Sequence, residues 1–447
     1  YMGQQGVVDE TSNKRYQVRA NVTSDVTSWL HVTADVNASH NLRKGNDFSM
    51  GKENPVWIAL NYSPTMTMMD DHGNYTWDPY NSIAANPKGK LKLESSEYLN
   101  DVVNGRLDLR FNILPGLTFT TTNGIDYNDE KNYSFSTKKV ETASGMGNGD
   151  TYRLMLQSSN NLTYTGKWND HSLTVTGVYE ATSTEGRYLS ITGKSLLTES
   201  VGWWDVNMAT SHQFENKYYK WGLMSGVGRA MYNYADRYML TATFRADGSS
   251  KFQNKKWGYF PSVAVAWSLG NEAFMKKQQV FQDAKIRASF GLVGNQAIDP
   301  YETLGLMKQE LYAFGGTSKY TGYWIGQTKA TPELSWETTR QLDLGLDVSM
   351  LNRRLSISLD YFYKKTVDGL LQKTIPYYDG GGSYWVNAGE ISNKGLDFSI
   401  TGHIFQDKEL NWTTTVTGTY IKNEVLSLAG SDFLYGAPAA HGMVEEV

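Results

Sequence analysis

The chain of 447 residues has no cysteine. That excludes a disulfide framework and any thiolate-ligated metal. Nowhere do eighteen apolar residues run together, so the sequence holds no transmembrane helix. Charge of one sign is also scarce: 42 Lys and Arg face 46 Asp and Glu, for a net charge of −4. With no basic cluster interleaved with aromatics, nothing favours nucleic acid as a partner. The seven histidines are scattered, without HExxH or His-x-His spacing, so a metallohydrolase is unsupported. Tyr1 is not followed by a charged segment and apolar core, so no signal peptide is expected and the piece reads as mature or trimmed.

What is abundant is aromatic: 29 Tyr, 16 Phe and 13 Trp. The apolar residues recur with a period of two, which is the period of a strand. Leu30, Val32, Ala34, Val36 and Ala38 alternate with His31, Thr33, Asp35 and Asn37. Leu342, Leu344, Leu346, Val348 and Met350 alternate with Gln341, Asp343, Gly345, Asp347 and Ser349. Leu355, Ile357, Leu359, Tyr361 and Tyr363 repeat the pattern. The expected strands number about fourteen: 15–24, 29–41, 102–113, 116–127, 151–166, 171–185, 213–234, 237–247, 258–268, 284–293, 336–350, 353–366, 388–405 and 410–424. Many exceed the roughly 5–6 residues of a soluble strand and suit a tilted membrane crossing of roughly 9–11 residues. Between 213 and 234 the phase changes from Tyr219, Trp221 and Leu223 to Ala230, Tyr232 and Tyr234, which predicts a β-bulge at Gly226 and Gly228.

The connections alternate in length. Short ones carry "LPG", "NDH", "ADR" and "LNRR"; long ones cover 42–100, 128–150, 186–212, 294–335 and 367–387. This is the rhythm of an outer-membrane barrel, with short periplasmic turns and long extracellular loops. A longer lower connection, "SLGNEAFMKKQQVFQDA", has room for a short helix. Trp168, Trp267 and Trp412 fall near short turns and Tyr127, Tyr152 and Tyr363 near the opposite ends, as two interfacial belts require. A propeller or sandwich also alternates, but no blade-length repeat is present. The expected fold is therefore all-β: a transmembrane antiparallel β-barrel. In the expected strand 237–247, Leu240, Ala242 and Phe244 meet lipid, while Arg237, Thr241, Thr243 and Arg245 meet the lumen, and Asp247 and Gly248 open an extracellular turn.

Enzymatic chemistry finds little footing. "DDHGNYTWD" is rich in oxygen ligands but lacks EF-hand spacing. "GLVGNQ" and the glycines at 380–382 lack a following P-loop lysine. No GxSxG context occurs, and Asp343 and Asp347 read as lumen lining. No catalytic residue, metal or cofactor is expected.

Several stretches go further than pattern. "RYMLTATFRADGSSKF" followed by "WGYFPSVAVAW", then "KIRASFGLVGNQAI", "TPELSWETTRQLDLGLD", "FYKKTVDGLL", "NAGEISNKGLDFSI" and "NEVLSL" occur in that order. Together they resemble the SusC/RagA family of TonB-dependent outer-membrane transporters, from "YQVRANVTSDVTSWLHVTADV" to Leu428. The resemblance implies a plugged barrel of the 22-stranded class, seated in the outer membrane of a Gram-negative, Bacteroidetes-like bacterium. It implies TonB-driven import of oligosaccharides or oligopeptides and a SusD-like surface lipoprotein as lid. Residues 1–447 are then expected to be part of the barrel, with no plug or TonB box among them. A passive porin or adhesin barrel is the alternative; a secreted glycan-active enzyme is a third. Ligand or lid contact falls to aromatics of the long connections: Trp57, Tyr62, Trp77 and Tyr80 in the first, Tyr323 and Trp324 in the fourth, and Tyr377, Tyr378, Tyr384 and Trp385 in the fifth.

Overall fold

The structure is a computed structural model, and it describes residues 1–45, 54–77, 86–278, 280–312, 320–325, 329–376, 378, 382–406 and 409–428. The strands are β1 (Met2–Gln5), β2 (Ser12–Thr27), β3 (Leu30–Lys44), β4 (Ser95–Leu114), β5 (Leu117–Ser136), β6 (Gly145–Trp168), β7 (His171–Leu196), β8 (Ala209–Tyr234), β9 (Tyr238–Ser249), β10 (Trp257–Ser268), β11 (Phe281–Asn295), β12 (Met307–Tyr312), β13 (Tyr320–Ile325), β14 (Glu337–Met350), β15 (Leu355–Val367), β16 (Leu370–Thr374), β17 (Ser383–Asn387), β18 (Glu390–Gln406) and β19 (Asn411–Ser427). Fifteen of them form one sheet, ordered β1 to β11, then β14, β15, β18 and β19. The printed pairings within it are all antiparallel. The pairs β12–β13 and β16–β17 are separate hairpins inside the two long connections 294–335 and 367–387.

Each of the fourteen expected strands is a member of this sheet. The observed strands are longer on the side of the long connections: β7 has 26 residues where alternation supported fifteen. Beyond Glu185, both faces carry polar side chains, so alternation fades while the backbone ladder continues. The first connection also carries two one-turn-plus helices, α1 (Pro55–Asn61) and α2 (Pro87–Leu93). Each starts on an Asn whose side chain accepts the first free N–H groups, with Pro in the first turn. The lower connection 269–283 contains two 3-10 turns, Leu269–Asn271 and Met275–Lys277, rather than an α-helix.

By contact density the chain falls into two units. The first comprises 1–109, 122–158 and 182–220, and the second 110–121, 159–181 and 221–447. In the first, β2 and β3 pair in strict register from Ser12↔Lys44 to Asp25↔His31, which puts Arg19, Asn21 and Asp35 on one face and Val22, Ala34 and Val36 on the other. In the second, β9 and β10 pair from Trp257↔Gly248 to Trp267↔Tyr238. Leu240 faces Val265, and Ala242 faces Val263, giving one exposed apolar face. The aromatic belt at the short-turn end is continuous within this unit. Trp168, His171, Tyr234, Tyr238 and Trp267 follow one another at centroid separations of 6.0, 4.9, 6.4 and 6.2 Å.

Three readings of the sequence are corrected. The β-bulge at Gly226 and Gly228 is absent on the β9 side, where β8 pairs without a break from Leu223↔Ser249 to Tyr234↔Tyr238. The phase change has another cause: Trp221 and Leu223 lie on the polar face and are apolar because loop residues cover them, Lys251 over the Trp221 ring and Phe252's cluster against Leu223. Asp247 and Gly248 do not make a turn; they lie in β9, and Asp247 is buried and held by Arg245. Arg237 is not on the lumen side of a strand. It sits in the turn before β9, over the Tyr234 and Tyr238 rings, and pairs with Glu272 at 3.3 Å.

The two faces of β14 make a direct test. Leu344 is exposed on the apolar face between Ala288 and Tyr361, whereas Asp343 accepts hydrogen bonds from Ser289 and Gln341 on the other. In folding titrations into lipid vesicles, Leu344→Arg is expected to cost about 2–4 kcal/mol near the bilayer midplane. Asp343→Asn, which keeps an acceptor, is expected to cost well under half of that. Equal costs would show that the faces are wrongly assigned.

Candidate functional site

The polar face of the second unit is organised by arginines that cross strands. Arg287 on β11 reaches Asp347 on β14 at 2.7 Å and Asp360 on β15 at 2.9 Å. Ser358 donates to Asp347 at 2.7 Å. Gly345 lies between Arg287 and Asp360 in register, and a Cβ there would stand 2.5 Å from the Asp360 carboxylate. Glycine at this point is therefore what lets one guanidinium span three strands. A second node joins Arg245 to Asp247 at 2.8 Å, Glu180 at 3.3 Å and Ser225 at 3.0 Å. Bidentate and shared arginine contacts of this kind fix geometry as well as charge.

Above this face the loops have a core of their own. Phe252, Phe260, Ile298, Leu334 and Trp336 are buried together, with Leu223, Leu292, Leu370 and Trp385 packed around them. The Trp336 indole N–H donates to the Lys256 carbonyl at 2.9 Å. Lys251 donates to the Ile298 carbonyl at 2.8 Å, and its burial pulls the ammonium pKa below the usual lysine value. At the opposite end, Glu272 accepts from the Trp267 indole at 3.1 Å; this bond, then that from Tyr238, lowers its carboxyl pKa.

The first unit holds a cavity of about 370 Å³. Its wall is made of Ser95 and Ser96, Ser134 and Ser136 of β5, Gly145 and Gly147 of β6, Thr192 to Lys194 of β7, and Lys90 of α2. Lys90 is already committed to Glu94 at 3.2 Å and to Glu141. Lys194 makes no ion pair among the described residues. Glu94, Phe135 and Met146 complete the wall. Its hydroxyls and the Lys194 ammonium, set among apolar side chains, suit a polyhydroxylated or carboxylate-bearing group. Among the described residues, no group of three or more His, Cys, Asp or Glu is gathered to hold a metal.

The aromatic candidates take several different positions. Tyr62 is buried, its hydroxyl 2.9 Å from the Thr76 hydroxyl, beside the buried Asn86 that caps α2. Trp57 lies half-buried in α1, and Trp77 is partly exposed. Trp385 packs on the loop core and donates to Glu302 at 2.8 Å. Tyr384 carries the Lys329 ammonium 5.7 Å from its ring centre, and Tyr378 is 87% exposed. Tyr323 and Trp324 belong to β13, paired with Gln309 and Lys308, while their side chains lie outside the described set. Tyr80 and Tyr377 also lie outside the described residues. Sequence reasoning missed Trp203 and Trp204, which form an aromatic cluster with Tyr133, Trp203 stacked on it and Trp204 tilted. The adjacent pair of tryptophans within a long connection was the available signal.

The family model "TonB dependent receptor-like, beta-barrel" matches residues 2–439. The chain belongs to this family. Family relatives include TonB-dependent receptor P3 of Formosa agariphila, 30% identical over 446 residues, covering 97% of this chain and 44% of the relative. TonB-dependent receptor SusC of Bacteroides thetaiotaomicron is 35% identical over 218 residues, 47% of this chain and 21% of its own length. Among solved structures, the RagAB peptide transporter aligns with a TM-score of 0.83 at 22% identity, over 98% of this chain and 49% of that one. The chain thus spans less than half the length of the relatives it matches. The sheet is a portion of a TonB-dependent receptor's β-barrel wall, its apolar face turned to the lipid of the outer membrane.

Two consequences are measurable. Trp336→Ala, by emptying the centre of the loop core, is expected to cost about 3–5 kcal/mol locally. It should speed proteolysis at 250–256 and 296–304 while the strands stay protected; unchanged cleavage rates would remove the loop core from the account. Because the chain has no cysteine, single cysteines also report sidedness cleanly. Lys255→Cys, in a turn of the long-connection end, should react with an impermeant thiol reagent on intact cells. Asp170→Cys, in a short turn, should react only after the outer membrane is opened. The reverse pattern would invert the topology.

Proposed function

We propose that this chain forms part of the wall of a TonB-driven importer of bulky nutrients, oligosaccharides or oligopeptides. In this reading a plug and the TonB contact are carried by other parts of the parent protein. A SusD-like lipoprotein closes over the long connections. The observation that carries the proposal is the family match over 2–439 joined to a polar face braced by strand-crossing arginines. A barrel of the 22-stranded class is wide enough to leak unless a plug fills it, and a charged, ordered wall is a surface against which a plug can pack and be released. The RagAB neighbour is a peptide transporter, which supports cargo of that size here.

Within this reading the aromatic residues divide by exposure. Tyr378, Trp77 and Trp57 offer ring surface to ligand or lid. Tyr62, buried, and Trp385, partly buried, are both hydrogen-bonded and act by holding the loops that present the others. Tyr80, Tyr323, Trp324 and Tyr377 complete the proposed contact set. No catalytic residue is proposed.

Uptake of a labelled oligosaccharide and a labelled oligopeptide by cells with and without a working TonB system tests the reading. Energised uptake of one class should fall to background without TonB, while surface capture persists. Lys194→Ala should weaken capture about tenfold if the cavity in the first unit holds a carboxylate-bearing group, consistent with about 1.4 kcal/mol for one such contact. Undiminished uptake without TonB would make the passive porin the better account.

A further inference from the structure

We propose that the lipid-facing side of β5 to β8, at its outer end, is a docking surface for a phosphorylated glycolipid of the outer leaflet. The face is apparent in alternate residues of the first unit. Along β5 it reads Ile125, Tyr127, Asp129, Lys131 and Tyr133; along β6, running the other way, it reads Leu156, Leu154, Tyr152, Asp150 and Asn148. Three tiers follow one another on both strands.

The first tier is hydrocarbon. Ile125 and Leu156 are exposed, and Tyr127 and Tyr152 meet edge to face at 5.7 Å just beyond them. That is where an aromatic belt marks the end of the acyl region. The second tier is charge. Lys131 pairs with Asp129 at 3.2 Å, Arg187 with Asp150 at 3.7 Å, and Lys220 with Glu185 at 3.2 Å, and the three cationic side chains are 40, 53 and 56% exposed. Exposed pairs of this kind contribute little to stability. A phosphate, which accepts strong, charge-assisted hydrogen bonds, competes with these carboxylates for the three cations.

The third tier is aromatic and incompletely hydrogen-bonded. Tyr133 stacks with Trp203 at 5.9 Å and lies 5.7 Å from Trp204, which is 76% exposed. Trp203 Nε1 and Asn148 Oδ1 are buried and have no hydrogen-bond partner among the described residues, while the Asn148 amide nitrogen donates to the Trp203 carbonyl at 2.9 Å. The exposed Trp204 ring beside them offers a sugar a stacking face. The platform is rigid, because Met146, Leu196 and Ala209 are buried beneath it with Phe135, Trp203 and Val206 packed on them. Acyl chain, phosphate and sugar, in that order along one molecule, match the three tiers in that order along one face.

The test uses the full-length receptor, purified in detergent and stripped of lipid. Three probes are titrated: a bisphosphorylated lipid A bearing core sugars, the same glycolipid dephosphorylated, and phosphatidylglycerol. The phosphorylated glycolipid should bind at least tenfold tighter than either of the others. The triple variant Lys131→Gln, Arg187→Gln, Lys220→Gln should bind the phosphorylated glycolipid no more tightly than its dephosphorylated form. Trp204→Ala should lose affinity for the two sugar-bearing probes and leave phosphatidylglycerol binding unchanged. Heat-dependent gel mobility confirms that each variant is folded. Equal binding of all three probes, or variants that bind as the parent does, would overturn the proposal.

Discussion

Hydrocarbon offers no partner to a backbone N–H or C=O group. Every peptide group within the membrane must therefore be satisfied by a neighbouring strand. The rest of this structure follows from that demand. It forces an antiparallel ladder, fixes the register of neighbouring strands, and leaves the side chains to alternate between lipid and a water-facing side. The in-register pairs Leu240 with Val265 and Ala242 with Val263 are apolar for that reason. The opposite face inherits the freedom to be charged.

That freedom is used in an ordered way. A solitary arginine on a water-facing wall would sample many rotamers. Arg287 is instead pinned by two carboxylates from two other strands, and Arg245 by Asp247, Glu180 and Ser225. Each node links strands that the ladder already links, so it adds stiffness and a fixed pattern of charge more than stability. Toward the outer end the same logic passes to packing. Phe252, Phe260 and Trp336 bind separate connections into one apolar centre, and Tyr384 and Trp385 are carried on a hairpin seated against it.

Most of the wall was legible in the sequence because a lipid boundary imposes a strict period of two. Legibility ended where lipid ended. Past Glu185 both faces of β7 carry polar side chains, the period disappears, and the strand continues unseen to Leu196. Trp221 and Leu223 misled for a related reason: they are apolar on the polar face because a loop covers them, which no local pattern reveals. Asp247 and Gly248 have the composition of a turn, yet the pairing with Gly258 and Trp257 keeps them in the ladder. The candidate site was harder still. Tyr62 and Tyr378 are the same residue type in similar connections, and only packing makes one a buried strut and the other an exposed ring. Trp203 and Trp204 were plain as letters, but their cluster depends on Tyr133, some seventy residues earlier in the chain.

The great length of the strands bears on how quickly the proposed importer would catch a ligand. At a rise of about 3.4 Å per residue, the 26 residues of β7 run for about 88 Å, while a tilted crossing needs only about 9–11 residues. More than half of the strand therefore stands clear of the hydrocarbon as hydrogen-bonded ladder. A receptor whose mouth is built from such ladder has lost its conformational entropy in folding, before any ligand arrives. In the proposed importer, association at that ladder is then limited by diffusion and orientation.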